Sequence, residues 1–350
     1  VSFENEAVFQ KEEKGYKLAW EDSLIFPGLL PTDKVRVSTV PAKRGEILDR
    51  NGRVLAGAGV AASVGIVPGN LEDREEAIRQ AAGLLGMDPE DIEKKLSAKW
   101  VKENSFVPIK NLRKVQEVEL MALEPDPEAQ AEHGRQQQLL QIPGVMISDT
   151  EVRAYPLGEA AAHLVGYVQN VTAEDLEQHS GEGYTANSVI GRSGAEGLFE
   201  KELKGQDGCR IFLTDAKGQE KMELANRTVE HGASIKLTVD AELQMDLYGQ
   251  FQEDKSCSVA LDPYTGEVLA LVSTPSYDSN DFILGLSSEQ WAALNEDENK
   301  PMYNRFRQAW CPGSTFKSVI GAIGLDSGAF GAGEDFGSEG QSWQKDASWG

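Results

Sequence analysis

Cysteine is scarce in this 350-residue chain. Cys209, Cys257 and Cys311 are an odd set with no CxxC and no paired spacing, which argues against a disulfide framework and a cysteine zinc site. Histidine is scarcer in pattern than in number: His133, His163, His179 and His231 are scattered and make no HExxH, so no metal is expected. Positive charge is in deficit, with 34 Lys and Arg against 57 Asp and Glu and a net charge of -23. Such a chain repels phosphate backbones, so nucleic acid is not an expected partner, and the acid excess reads as a solubility feature. No run approaches the roughly 20 apolar residues of a membrane span, and no charged-then-apolar leader heads the chain. However, it opens on VSFENEAVFQKEEKGYKLAW, without an initiator Met. That reads as the middle of a longer protein, with room upstream for a targeting or anchoring segment.

Of what is present, 40% is hydrophobic, enough to bury cores in two or three domains. Tyr16–Trp20 alternates like a strand, Leu24–Phe26 resumes it, and Val35–Val40 is a second extended run. Two strands alone are marginal in water, so their sheet partners are expected before residue 1. In RGEILDRNGRVLA (Arg44–Ala56), Asn51-Gly52 predicts a two-residue hairpin, because both residues tolerate positive φ. GAGVAA (Gly57–Ala62) mimics a dinucleotide fingerprint, but a strand follows it and not a helix, so it offers no pyrophosphate site and no cofactor is expected. Residues 71–99 read as two helices, the second with Asp88 as N-cap and Pro89 at its first position. Residues 124–141, rich in Pro, Glu, Gln and Ala, read as a mobile surface insertion. An apolar helix is expected over Ala160–Val168, and another within Gly191–Gly208, with Leu198, Phe199 and Leu203 as its apolar face. Then follow a strand at Ile235–Val239, a helix at Ala241–Gln252 and a hairpin over Ser258–Ser273, with Pro263 and Gly266 in the turn. That order suggests an α+β domain from residue 235.

The chemistry-bearing stretch is CPGSTFKSV (Cys311–Val319). Phe316–Leu325 reads as a helix with Phe316, Val319, Ile320 and Ile323 on one face. Ser314 and Lys317 lie on the opposite, nearly bare face, followed by Gly321 and Gly324. A serine hydroxyl is a poor nucleophile without a base, and a lysine one turn later reaches it if kept neutral. The Ser314 N–H at a helix start is also an oxyanion donor. The competing reading makes Ser314 a helix cap and Lys317 a solvated charge. A second Ser-x-x-Lys, Ser342–Lys345, is taken as coincidence.

Several stretches together resemble the class B penicillin-binding proteins, serine transpeptidases that cross-link bacterial peptidoglycan. RGEILDRNGRVLA resembles the opening motif of their pedestal, or dimerisation, domain, and GRSGAEGLFEKELKG (Gly191–Gly205) its second signature. LDPYTGEVLALVSTPSYDSNDF (Leu261–Phe282) resembles the first hairpin of their transpeptidase domain, and PGSTFK their active-site Ser-x-x-Lys. The resemblance implies that Ser314 is the acylated serine and Lys317 its base. WEDSLIFPGL (Trp20–Leu29) and SWQKDASWG (Ser342–Gly350) are similar to the methicillin-resistance type of low affinity. That subgroup carries an additional nuclear-transport-factor-two-like domain.

The resemblance thus implies a multidomain α+β protein: the end of that extra domain over 1–38, an elongated pedestal over 39–234, and the first part of a transpeptidase domain over 235–350. It implies peptidoglycan stem peptides and β-lactams as ligands, and cell-division or wall-elongation proteins as partners. It also implies an extracytoplasmic location through a membrane anchor lying outside this chain. The family's Ser-x-Asn and Lys-Thr/Ser-Gly motifs occur nowhere in the sequence, so an enzyme fragment, inactive alone, is expected. Cys311 has no functional account. A serine β-lactamase shares the Ser-x-x-Lys chemistry but would not need the long segment 39–234, and that segment also disfavours a non-catalytic reading as a penicillin sensor, which keeps the serine and lysine, or a wall-assembly scaffold.

Overall fold

The computed structural model describes residues 4–120, 126–335, 337, 346 and 348. They fall in two compact units, Val1–Phe306 and Arg307–Gly350. The first unit opens with a hairpin of β1 (Phe9–Glu12) and β2 (Gly15–Leu18). Leu24–Phe26 does not resume a strand. It leaves a 3-10 turn over Asp22–Leu24, where Glu21 and Asp22 interrupt the alternation that a strand needs. Strand β3 (Lys34–Val40) is present, but its partner lies downstream, with Lys34 opposite Thr214 and Val40 opposite Gly208.

Strands β4 (Ile47–Leu48) and β5 (Val54–Ile66) follow. The two-residue turn does not form. Only Gly52 has positive φ (87°), and the longer loop is held by the Asp49 carboxylate, which accepts from the N–H of Asn51 (2.7 Å) and of Arg53 (2.8 Å). Strand β5 runs straight through GAGVAA, whose glycines serve packing. A Cβ on Gly59 would come within 2.4 Å of the Ala154 Cβ. Helices α1 (Arg74–Leu85) and α2 (Pro89–Leu96) form as expected, capped by the side chains of Asp73 and Asp88.

Next come β6 (Val107–Arg113), α3 (Glu117–Leu120), α4 (Pro127–Leu140) and β7 (Val145–Ala154). Strand β5 lies between β6 and β7, antiparallel to both. Their apolar faces and the helices enclose a core of Val64, Ile66, Ile78, Leu85, Ile92, Val107 and Leu139, each worth roughly 1.5–3 kcal/mol of burial. Helix α4 corrects the expectation of a mobile insertion. Asp126 caps it and Pro127 starts it, while Ala129 and Leu139 are fully buried. Two buried contacts hold a segment whose composition offers little else.

The expected helix over Ala160–Val168 shrinks to one turn, α5 (Ala162–Val165), which ends at Gly166. There a Cβ would fall 1.9 Å from the Ser193 carbonyl oxygen. Then follow β8 (Val168–Asn170), α6 (Ala173–Gln178), β9 (Val189–Gly191), α7 (Gly194–Leu198) and α8 (Glu200–Lys204). The break between α7 and α8 at Phe199 turns Leu198 outward, 76% exposed, while Leu203 is fully buried. Strands β10 (Gly208–Thr214) and β11 (Glu220–Arg227) complete a sheet ordered β11-β10-β3.

Strand β12 shortens to Ile235–Lys236 and lies parallel to β4. Helix α9 (Ala241–Phe251) and the hairpin β13 (Ser256–Leu261) and β14 (Val268–Thr274) match expectation, with Gly266 at positive φ in the turn. Helices α10 (Ser279–Leu284) and α11 (Ser288–Glu296) close the first unit, and the second contains α12 (Phe316–Asp326). Among the described residues, no helix is long and apolar enough to cross a membrane, and no three His, Cys, Asp or Glu side chains converge as metal ligands.

Candidate active site

Ser314 sits inside a 3-10 turn, Gly313–Thr315, that runs directly into α12. Gly313, at φ 51°, lets the chain enter that turn. In 3-10 geometry side chains three apart eclipse one another, so the turn and the first residues of α12 bring Ser314 and Lys317 to the same side. Ser314 is no cap. The residue before α12 is Thr315, and its side chain makes no cap bond among the described residues. Ser314 and Lys317 are both exposed. The bare face continues as expected at Gly321, which has open space around it, but not at Gly324, where a Cβ would strike the Phe330 ring at 2.1 Å. Opposite, Phe316, Val319, Ile320 and Ile323 are 44–58% exposed. The second Ser-x-x-Lys, Ser342–Lys345, lies outside the described residues, as does nearly all of SWQKDASWG.

In the first unit the quoted stretches converge on one carboxylate. Glu196, fully buried, receives Arg44 Nε at 2.7 Å on one oxygen and Arg153 Nε at 2.7 Å on the other. The Tyr155 hydroxyl reaches it at 3.3 Å and accepts from the Val168 N–H at 2.9 Å. Arg44 also binds Glu200 at 2.7 Å, and Glu200 accepts from the Gly191 N–H at 2.9 Å. Burial, reinforced by Glu196, pushes the Tyr155 phenol far above its usual range. For Arg44, burial disfavours the charge, but Glu196 and Glu200 outweigh it and the net shift is upward.

Three further ties join the segments on either side of residue 235. Asp49 also accepts from the Ala241 N–H at 3.2 Å, at the start of α9. Burial would raise its pKa, but the three backbone donors win and it is lowered. Buried Gln244 imitates a strand. Its amide donates to the Ala160 and Leu271 carbonyls, each at 2.7 Å, and accepts from the Leu271 N–H at 2.9 Å. Asn280 clamps Tyr155 in the same way, N–H and C=O both at 3.0 Å.

Sequence reasoning missed one polar cluster near the end of this unit. Arg305, 6% exposed, donates to the carbonyls of Asn299 (2.5 Å), Tyr303 (3.1 Å) and Lys300 (3.3 Å). Buried His163 lies 2.8 Å from the Pro301 carbonyl oxygen through Nε2. Burial is the main cause that brings its pKa down to about 4, so the ring is neutral near pH 7 and Nε2 carries the proton. An Asn-Arg pair in a loop and a lone histidine carry no periodic signal that could have joined them.

On α10, burial first and then Asp278, Glu159 and Glu128 push the Asp281 carboxyl up to about 6 from 3.8. A raised carboxyl pKa means stability that is full below about pH 4 and is lost as pH rises through 6. Asp281→Asn should therefore stabilise the protein at pH 7.5, by on the order of 1 kcal/mol after solvent screening, and leave pH 4 stability unchanged. Thermal melts at the two pH values check this. Equal shifts at both would remove the titration argument.

Comparison with known proteins bears on these arrangements. The penicillin-binding protein dimerisation domain model matches residues 39–237, and the penicillin-binding protein transpeptidase domain model matches residues 256–350. The chain is 39% identical over 355 residues to penicillin-binding protein 3 of Bacillus subtilis (strain 168), covering 100% of this chain and 50% of that protein. It is 30% identical over 308 residues to the peptidoglycan D,D-transpeptidase MrdA of Escherichia coli (strain K12), covering 85% and 46%. It therefore spans about half the length of the curated relatives it matches. A solved complex between penicillin-binding protein PBP2 and MreC from Helicobacter pylori shares the fold, with a TM-score of 0.59 at 23% identity, over 89% of this chain and 58% of that one. A dimerisation domain followed by a transpeptidase domain is the class B arrangement, and the chain belongs to the class B penicillin-binding proteins.

Proposed function

We propose that this protein is a D-alanyl-D-alanine transpeptidase of peptidoglycan whose acylated nucleophile is Ser314 and whose base is Lys317. The observation that carries the reading is local. Ser314 is spent on no helix cap and is exposed beside a lysine three residues on. In the reaction, Ser314 Oγ attacks the carbonyl carbon of the penultimate D-Ala of a stem peptide and Lys317 Nζ takes its proton. The C–N bond breaks, and the terminal D-Ala leaves with a proton. An amine of a neighbouring stem peptide then attacks the ester, forms the cross-link and releases Ser314. A β-lactam acylates the same oxygen, but its opened ring stays tethered.

The finer assignments belong to the same reading. The resemblance of WEDSLIFPGL supports the low-affinity, methicillin-resistance type, with residues 1–38 ending a nuclear-transport-factor-two-like domain. The domain limits 39–234 and 235–350 are supported by the matches over 39–237 and 256–350. Strand β3 nevertheless pairs with β10 across residue 38, so the first limit does not fall at a gap in packing. A relative assembled with MreC supports wall-elongation proteins as partners. The substrate supports an extracytoplasmic location, with membrane attachment by a segment outside the described residues.

The test uses a polypeptide that carries the whole transpeptidase domain. Fluorescent penicillin should label it covalently, the labelled peptide should contain Ser314, and Ser314→Ala should abolish labelling. Labelling that persists in Ser314→Ala, or maps to another residue, sinks the reading.

A further inference from the structure

We infer that the cleft beside strand β6 is a docking groove for an extended, cationic peptide segment of a partner protein, which adds to the free edge of β6. The cleft lies wholly within the first unit. It has a volume of about 1070 Å³ and is bordered by β6, the C-terminal end of α1, α4 and α10. A second cleft of about 830 Å³ continues it, with Lys110 and Asn111 lining both. Every residue from Pro108 to Lys114 lines one or the other. Successive side chains of a strand point to opposite faces, so a cleft that meets all of them runs along the edge of the strand and not across one face. That edge is free. Strand β6 pairs with β5 on one side and with no strand on the other among the described residues.

An open strand edge invites another chain, and proteins blunt such edges or cover them. Here the edge is recessed. The loop after α10, Leu284–Ser287, lines both clefts with it, so only a single extended chain fits beside β6. Two of the strand's carbonyls are already drawn to donors outside the sheet. Lys95 Nζ donates to the Ile109 carbonyl at 2.5 Å, and Gln136 Nε2 to the Arg113 carbonyl at 2.8 Å. From Pro108 to Lys114 the edge spans about 20 Å at roughly 3.3 Å per residue, room for a segment of about six residues. A strand added in this way takes affinity from main-chain hydrogen bonds and specificity from alternate side chains.

Charge selects the occupant. The cations that line the clefts are spent within the protein. Arg113, Lys114 and Arg135 pair with Glu119, Asp149 and Glu132, and Arg153 holds Glu196. Lys95 and Lys110 donate to backbone carbonyls, those of Ile109 and Leu85. Asp281 and Glu128 line the larger cleft and are paired with no Lys or Arg among the described residues. Burial first, and then Asp278, Glu159 and Glu128, keep the Asp281 carboxyl up at about 6, and a cation brought beside it reverses that shift. A Lys or Arg on the incoming strand is such a cation. A second copy of this chain is a poor occupant, because two molecules of net charge -23 repel one another, and an acidic segment is refused on the same ground.

The experiment pans the immobilised full chain against a displayed library of random peptides about ten residues long, long enough to cover the edge. Enriched sequences should carry Lys or Arg within an alternating, β-prone run. A synthetic peptide of the most enriched sequence is then titrated by fluorescence anisotropy. Gly83→Phe is the blocking variant. Gly83 lies in α1 and lines both clefts, and a Cβ there meets nothing within 4 Å. The ring therefore enters the groove while the helix gains propensity over glycine, and binding should weaken at least about tenfold. The double variant Glu128→Gln, Asp281→Asn should weaken it severalfold, and replacing the peptide's cations by Glu should abolish it. N-methylation of alternate peptide amides should abolish binding in the frame that faces β6 and leave it within about threefold in the other. The proposal is overturned if no sequence is enriched, if the enriched peptides lack cations, if Gly83→Phe keeps the affinity within about twofold, or if both methylated frames bind alike. Should the chain self-associate in sedimentation runs and Gly83→Phe abolish that, the occupant is a second copy and the partner assignment falls.

Discussion

Glu196→Ala is expected to destabilise the first unit by about 3–5 kcal/mol, the loss typical of breaking a buried ion pair from one side. The side chain is fully buried and neutralises two guanidinium groups whose side chains are only 11% and 7% exposed. Removing it leaves Arg44 with Glu200 as its remaining carboxylate, and Arg153 with a neutral partner, the Gly45 carbonyl at 2.8 Å. The Tyr155 hydroxyl keeps its bond from Val168 but loses its acceptor. Glu196→Gln should cost less, since it preserves volume and one acceptor oxygen. Glu223→Ala is the control. It breaks the Arg210 pair on an exposed surface, where both side chains are about 40% exposed, and should change little. Urea unfolding followed by far-UV dichroism reads all three. A Glu196→Ala midpoint indistinguishable from that of Glu223→Ala would show that the convergence on Glu196 is dispensable.

That hub also shows what sequence could and could not deliver. Arg44 and Glu196 lie in two stretches singled out from the sequence and Arg153 in neither, and nothing in the spacing says that they share one carboxylate. Ion pairs 152 and 43 residues apart leave no local pattern. Local signals did well. Asp88-Pro89 and the turn around Gly266 sit where capping and turn chemistry put them, because a cap acts within three residues of itself. Non-local pairing defeated the reading elsewhere. The partner of β3 lies at Gly208–Thr214, and no alternation pattern carries that address. Composition misled at α4, where two buried apolar residues and a good N-cap outweigh a run of Glu and Gln. At the candidate site, the two residues and the helix behind them were legible, since Ser-x-x-Lys and a helical apolar face are both short-range. The Arg305 loop was not, because its specification is a set of backbone carbonyls, which have no letter in a sequence.

The sharpest expectation concerns Lys317. In a polypeptide with the whole transpeptidase domain, Lys317→Ala should slow acylation of Ser314 by about a thousandfold or more, within the range for losing a general base that acts as a unit with its nucleophile. The fold should be untouched, since Lys317 is exposed on α12 and makes no bond that the described residues depend on. Alanine alone does not say whether the lysine acts as a base or as a positive charge that steadies the oxyanion. Lys317→Arg separates the two. Arginine keeps the charge and most of the reach, but it is not deprotonated in proteins. If the lysine must accept the Ser314 proton, the arginine variant should be as slow as alanine. If it recovers most of the rate, the contribution is electrostatic and the base must be sought elsewhere. Stopped-flow acylation of the three proteins, with melting temperatures matched to within a few degrees, makes that choice.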